Sequence, residues 1–189
     1  MKKRIIGISL SIMLILSFCI SIVGCGNKVS EETAVSLVKT LVNESYFLNV
    51  AYFGNGLEYL EEDIEENNLY APVSPSESCT TKKQLVEKTR KIFSSSYASS
   101  MIETAFNGVK DATGTSAIYA RYMVYDGDRL YVYREIEGIE INKYDFSKIE
   151  ITKISGSFIQ ANMFTEKGDT VNITVINENG EWRLDSATY

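Results

Sequence analysis

Ser36-Leu37-Val38-Lys39 has the Ser-x-x-Lys spacing at which a lysine amine can activate a serine nucleophile. Neither Ser-x-Asn nor Lys-Thr-Gly follows it, and the tetrapeptide lies inside an amphipathic helical pattern, so it reads as one turn of a helix. The 189 residues include no histidine. That removes Ser-His-Asp and Cys-His catalysis, histidine zinc sites and the side chain that ordinarily titrates near neutral pH. Carboxylates, lysine, tyrosine or a cofactor would have to carry any reaction. The 25 Asp and Glu residues supply carboxylates, but no strand-end pattern singles out a pair of the kind that cleaves glycosides. No Asp-x-Asp-x-Asp-Gly calcium loop appears. A non-enzymatic chain without cofactor or metal is expected.

The cysteines carry the most specific chemistry. Lys2, Lys3 and Arg4 precede a nearly unbroken apolar run from Ile5 to Val23, the layout of an export signal. The run ends in Ile22-Val23-Gly24-Cys25, which resembles a bacterial lipobox. The resemblance implies diacylglycerol transfer to the Cys25 sulfur and cleavage just before it. The competing reading is an uncleaved anchor, since an apolar run of roughly 20 residues can span a bilayer. Cys19 follows Leu16-Ser17-Phe18, a poorer fit. The expected division is therefore 1–24 signal, 25–29 lipidated cysteine and short tether, and 30–189 a single domain on the outer face of the cytoplasmic membrane. Cys79 is then the one remaining thiol, with no internal partner and no histidine to activate it, and reads as passive.

Charge concentrates in one place. The whole chain carries -6, but removal of the basic signal leaves 16 Lys and Arg against 25 Asp and Glu, a net -9. No Lys or Arg occurs from Thr40 to Thr81, whereas Glu44, Glu58, Glu61, Glu62, Asp63, Glu65, Glu66 and Glu77 all do. This acidity argues against a nucleic-acid partner. It fits either a solvated helix face, neutralised by Lys82, Lys83, Lys88, Arg90 and Lys91, or a docking element steered toward a basic surface.

The elements that must position these residues divide the chain into helices first and strands after. Ser30 caps a helix whose face is Ala34, Leu37, Val38, Leu41, Val42, Ser45 and Leu48, stopped by Gly54-Asn55-Gly56. Leu57, Leu60 and Ile64 suggest a second short helix, and residues 72–78 an extended loop. Thr81-Lys82-Lys83-Gln84 has capping-box spacing ahead of a third helix, which the Ser94-Ser95-Ser96 run separates from a fourth ending at Asn107-Gly108. From Ser116 the period becomes alternating. Strands are expected at 117–125, 129–134, 148–155, 157–166, 170–178 and 181–188, with Asn179-Gly180 the strongest turn. The fold class is α+β, with helices over 30–107 packed on a curved antiparallel meander over 116–189.

Parity in the first hairpin sorts its side chains. A three-residue loop at 126–128 sets Val124 opposite Leu130 and Tyr122 opposite Val132, so that Ile118, Ala120, Tyr122, Val124, Leu130 and Val132 form the core face. Tyr119, Arg121, Met123, Tyr125, Arg129, Tyr131 and Tyr133 then share the opposite face. Such a face is either ordinary cross-strand packing or a recognition surface, since Tyr and Arg are enriched at binding hot spots.

Thr80-Thr81-Lys82-Lys83-Gln84-Leu85 followed by Ile92-Phe93, the hairpin Tyr125-Asp126-Gly127-Asp128-Arg129-Leu130-Tyr131-Val132, and the closing Val175-Ile176-Asn177-Glu178-Asn179-Gly180-Glu181-Trp182-Arg183-Leu184 together resemble the IseA-type DL-endopeptidase inhibitors. The Asn-Gly-Glu-Trp ending is also similar to that of NTF2-like, or cystatin-like, exported domains. The resemblance implies a cell-surface inhibitor of NlpC/P60 cell-wall endopeptidases, here tethered through Cys25. Candidate partner-binding residues are Glu58, Glu61, Glu62, Asp63, Glu65 and Glu66 with Tyr119, Arg121, Tyr125, Arg129, Tyr131 and Tyr133, presented to a basic cleft. The alternative is an NTF2-like ligand-binding or sensor module with a pocket between helices and sheet.

Overall fold

The structure, a computed structural model, describes residues 29–61, 68–110, 117–125 and 127–189. The described residues are α+β: three helices and two main antiparallel sheets. Helix α1 (Glu31–Tyr52) starts at Ser30, whose hydroxyl accepts from the Thr33 N–H, and Glu31 and Glu32 sit favourably at its positive end. Its inner stripe of Ala34, Val38, Leu41, Val42, Ser45 and Leu48 is buried as the periodicity requires. No helix among the described residues is long and apolar enough to cross a membrane.

Helix α2 (Lys82–Ile92) opens on the full capping box: the Thr81 hydroxyl accepts from the Gln84 N–H, and the Gln84 side chain accepts from the Thr81 N–H. Asp128 adds a second anchor, its backbone and side-chain oxygens accepting from the Lys82 and Lys83 N–H groups. Thr81→Ala is expected to cost about 1 kcal/mol, the usual value of an N-cap, read as a lower urea midpoint at unchanged slope. Ser94 ends α2 and caps α3 (Ser95–Asn107), accepting from the Tyr97 N–H while its hydroxyl donates to Asp185. The serine run is thus a cap-to-cap joint rather than a weak stretch of one helix.

Three departures from expectation concern long-range pairing. Residues 57–60 are not helical: Tyr59 pairs with Val73, the Leu60 N–H donates to the Pro72 carbonyl and the Ser74 N–H to the Glu58 carbonyl. The helical spacing of Leu57 and Leu60 is outweighed here by a neighbouring backbone with open hydrogen-bonding groups, while Ile64, the third residue of that pattern, lies outside the described residues. The second departure is β1 (Tyr70–Pro72), a strand that the sequence pattern does not announce and that overlaps the expected loop at Pro72 alone, paired antiparallel with β5 (Arg129–Tyr133). The third is that the strands do not form one meander. Ala117–Ile118 (β3) pairs with Val109–Lys110 (β2), and β4 (Tyr122–Tyr125) pairs with β5, giving the order β1-β5-β4.

The remaining strands, β6 (Tyr144–Ile154), β7 (Phe158–Thr165), β8 (Thr170–Glu178) and β9 (Glu181–Leu184), form a separate four-stranded meander in sequence order. Its last turn has Asn179 and Gly180 both at positive φ, as Asn-Gly predicts. Helix α1 lies over β6 and β9, α2 bridges α1 to β9, and α3 packs on β4. Leu48, Leu85, Phe93, Tyr122, Leu130, Ile159, Met163, Ile173 and Leu184 fill the shared core. The segment joining β5 to β6 crosses the end of α1, where the Ile139 N–H donates to the Phe53 carbonyl at 2.9 Å. The C-terminal residues fold back along α1, stacking Tyr189 on Phe53 with ring centres 3.8 Å apart.

Candidate functional site

The β1-β5-β4 sheet has one covered and one open face. Tyr122 pairs with Val132 and Val124 with Leu130, the register that side-chain parity demands, and Tyr122, Leu130 and Val132 are buried inward. The Tyr122 hydroxyl donates to the Ala51 carbonyl at 2.7 Å, and burial pushes its pKa up. The same register turns Met123, Tyr125, Arg129, Tyr131 and Tyr133 outward. Tyr125 meets Tyr131 edge to face at 4.9 Å, and the Arg129 guanidinium lies 5.8 Å from the Tyr131 ring centre. Tyr119 stacks on Tyr133 at 5.1 Å, and Tyr70, paired with Tyr133 in register, adds a ring at 5.4 Å. Tyr119 is 57% exposed, Tyr125 44% and Met123 37%. Packed rings with open outer surfaces form an amphipathic, preordered patch.

Arg121 does not belong to this patch. Strand β4 begins at Tyr122, so the alternation stops one residue short of Arg121. Its guanidinium turns inward and donates to the Gly54 carbonyl at 2.7 Å, bracing the loop after α1. Burial lowers its pKa. Tyr70 is the member that sequence reasoning missed. Leu69-Tyr70-Ala71 before Pro72 is a short β-prone run, but only its pairing with β5 reveals which face the ring takes. Its hydroxyl donates to the Ala120 carbonyl at 2.7 Å, and it is 8% exposed, so it supports the patch rather than presenting itself.

The acidic segment is tied to the same sheet. Glu58 and Glu61 are exposed on the stretch that runs beside Val73. Glu62, Asp63, Glu65 and Glu66 lie outside the described residues, as does Cys25. The chain re-enters at Asn68 and Leu69, whose carbonyls accept from the Arg134 guanidinium and the Arg134 N–H, next to Tyr133. Both ends of the acidic stretch therefore sit at the edge of the tyrosine sheet.

The basic residues of α2 form no ion pair with the described acids of this segment. Lys82 lies 4.4 Å from the Phe106 ring centre, Lys88 4.3 Å from that of Phe47, and Lys83 reaches Glu87. Among the described residues, none of the ion pairs involves Glu44, Glu58, Glu61 or Glu77. Ser36 and Lys39 are both exposed on α1, with Lys39 placed 6.0 Å from the Phe146 ring centre. Cys79 is 2% exposed, and burial raises its thiol pKa, which disfavours the reactive thiolate. Among the described residues no group of three carboxylates or thiols is placed to hold a metal ion. A scan against protein-family models finds no family that matches the chain, and a search of curated proteins finds no match either.

Proposed function

We propose that this chain is an exported, non-enzymatic protein, lipidated on Cys25 and held at the outer face of the cytoplasmic membrane, that binds and restrains a peptidoglycan endopeptidase of the NlpC/P60 class. The observation that best supports a binding role is the open tyrosine face of the β1-β5-β4 sheet, continuous with the edge from which the acidic segment leaves. Exposed Tyr and Met at the centre of a patch, with charge at its border, is the anatomy of a protein-binding surface. The acids would steer a basic cleft into register, and the rings would exclude water once it docks.

The purified chain lacking residues 1–24, added in micromolar excess, is expected to slow wall digestion by an NlpC/P60 endopeptidase. Undiminished digestion overturns the inhibitor reading. Lipidation is tested separately. Cys25→Ser is expected to abolish labelled-palmitate incorporation and to leave a larger precursor that retains residues 1–24. Label persisting in that variant would place the attachment elsewhere.

A further inference from the structure

Five cations of this chain lie over aromatic rings. Lys39, Lys82, Lys88 and Lys153 face Phe146, Phe106, Phe47 and Phe158, and Arg129 faces Tyr131, all between 4.3 and 6.0 Å from the ring centre. Among the described residues none lies over Tyr119, which at 57% is the most exposed aromatic residue of them. Tyr133 covers one face of the Tyr119 ring, 5.1 Å away and inclined by 23°. The exposed share of Tyr119 therefore lies on its other face and its rim.

The border of this ring pair is acidic. The Tyr133 hydroxyl donates to Glu135 at 3.1 Å, which sets an exposed carboxylate at the hydroxyl end of the inner ring. Glu58 and Glu61 are exposed on the stretch that meets Val73, just past β1. The two nearest arginines are engaged elsewhere, Arg129 with Tyr131 and the Arg134 guanidinium with the Asn68 carbonyl. An aromatic face is negative, and a carboxylate beside it adds to that potential, so the open side of Tyr119 favours a cation. An apolar surface closing there would strip water from Glu135 without supplying a counter-charge. Tyr125 is the poorer candidate, because Arg129 stands opposite it in the β4–β5 register.

We propose that the open face of Tyr119 takes an arginine side chain of the partner protein, its guanidinium laid on the ring within about 6 Å of the centre. The guanidinium is planar and less strongly hydrated than an ammonium, so it continues the Tyr133–Tyr119 stack at lower desolvation cost than a lysine would. This rests on the reading of the tyrosine face as a docking surface and names the side chain that surface receives.

The test is an NMR titration of the isotope-labelled full chain, in uncharged dodecyl maltoside, with acetyl-Gly-Arg-Gly-amide and with its citrulline counterpart. Citrulline keeps the planar group and replaces the cation with a neutral urea. The arginine peptide is expected to shift the Tyr119 and Tyr133 ring resonances along a saturating curve and to bind about five-fold more tightly than the citrulline peptide. Tyr119→Phe is expected to keep that preference, because the aromatic face remains. Tyr119→Leu is expected to lose it, although every acid is left in place. Equal binding of the two peptides, or binding of neither, overturns the proposal. So does an arginine preference that survives Tyr119→Leu, which traces it to the acidic border alone. If the unaltered chain still slows wall digestion in those cases, the docking reading stands and only the arginine site falls. An arginine preference that depends on Tyr119, in a chain that leaves digestion unchanged, keeps the site and removes the endopeptidase as its partner.

Discussion

Tyr119→Ala combined with Tyr125→Ala is expected to abolish endopeptidase inhibition at concentrations where the unaltered chain inhibits fully, with little change in melting temperature. Each ring presents a large outer surface, 57% exposed at Tyr119 and 44% at Tyr125, while its inner side rests on Tyr133 or Tyr131. Truncating one hot-spot tyrosine costs about 2 kcal/mol of binding, or roughly thirty-fold in affinity. Neighbouring rings share the same dry patch, so the double variant need not equal the sum. Tyr70→Ala is the contrasting variant: that ring is buried and its hydroxyl holds the Ala120 carbonyl, so its loss lowers folding stability as well. Neutralising Glu58, Glu61, Glu62, Glu65 and Glu66 is expected to act differently, slowing association and flattening its salt dependence. Unaltered inhibition by the tyrosine double variant would remove the β1-β5-β4 face from the proposed interface.

Gly138→Ala is expected to destabilise the fold strongly. A Cβ at residue 138 would stand 2.2 Å from the Gly54 carbonyl carbon and oxygen and 2.6 Å from the Asn55 nitrogen. These are backbone atoms, so no side chain can rotate out of the way. The segment would have to lift from the end of α1, endangering the hydrogen bond from Ile139 to Phe53 and the contact of Arg121 with Gly54. A forced backbone shift of this kind costs about 3 kcal/mol, a large share of the roughly 5–15 kcal/mol that holds a domain together. Gly156→Ala is the control, because nothing lies within 4 Å of its added Cβ. Urea denaturation of the two variants decides the point. Equal midpoints would show that the two backbones do not approach as closely as the structure places them.

Much of the fold was legible because its signals are local. The capping box at Thr81 and Gln84, the helix break at Ser94-Ser95-Ser96, the Asn179-Gly180 turn and the stripe on α1 each arise from atoms a few residues apart. The hairpin register was legible for a related reason: a three-residue loop is the choice that keeps Tyr122, Leu130 and Val132 on one buried face. Leu57 and Leu60 misled because apolar residues at helical spacing carry no information about the backbone groups waiting at Pro72 and Ser74; Ile64 lies outside the described residues. Arg121 misled because alternation was carried across a bend that ends before β4 begins.

The sequence by itself determined the α+β order, the helix limits from α1 to α3, the parity of the hairpin and the concentration of acid between Thr40 and Thr81. The tertiary structure decided which of these features meet. It set β1 beside β5, so that the acidic stretch borders the tyrosine face, and it placed Thr188 against Asn49, 139 positions away, so that the amide nitrogen is held by the C-terminal chain and the amide oxygen is left buried. Local sterics and capping are written in neighbouring residues. Which distant backbone satisfies a strand, and which buried polar atom is left over, depends on the whole chain closing on one core.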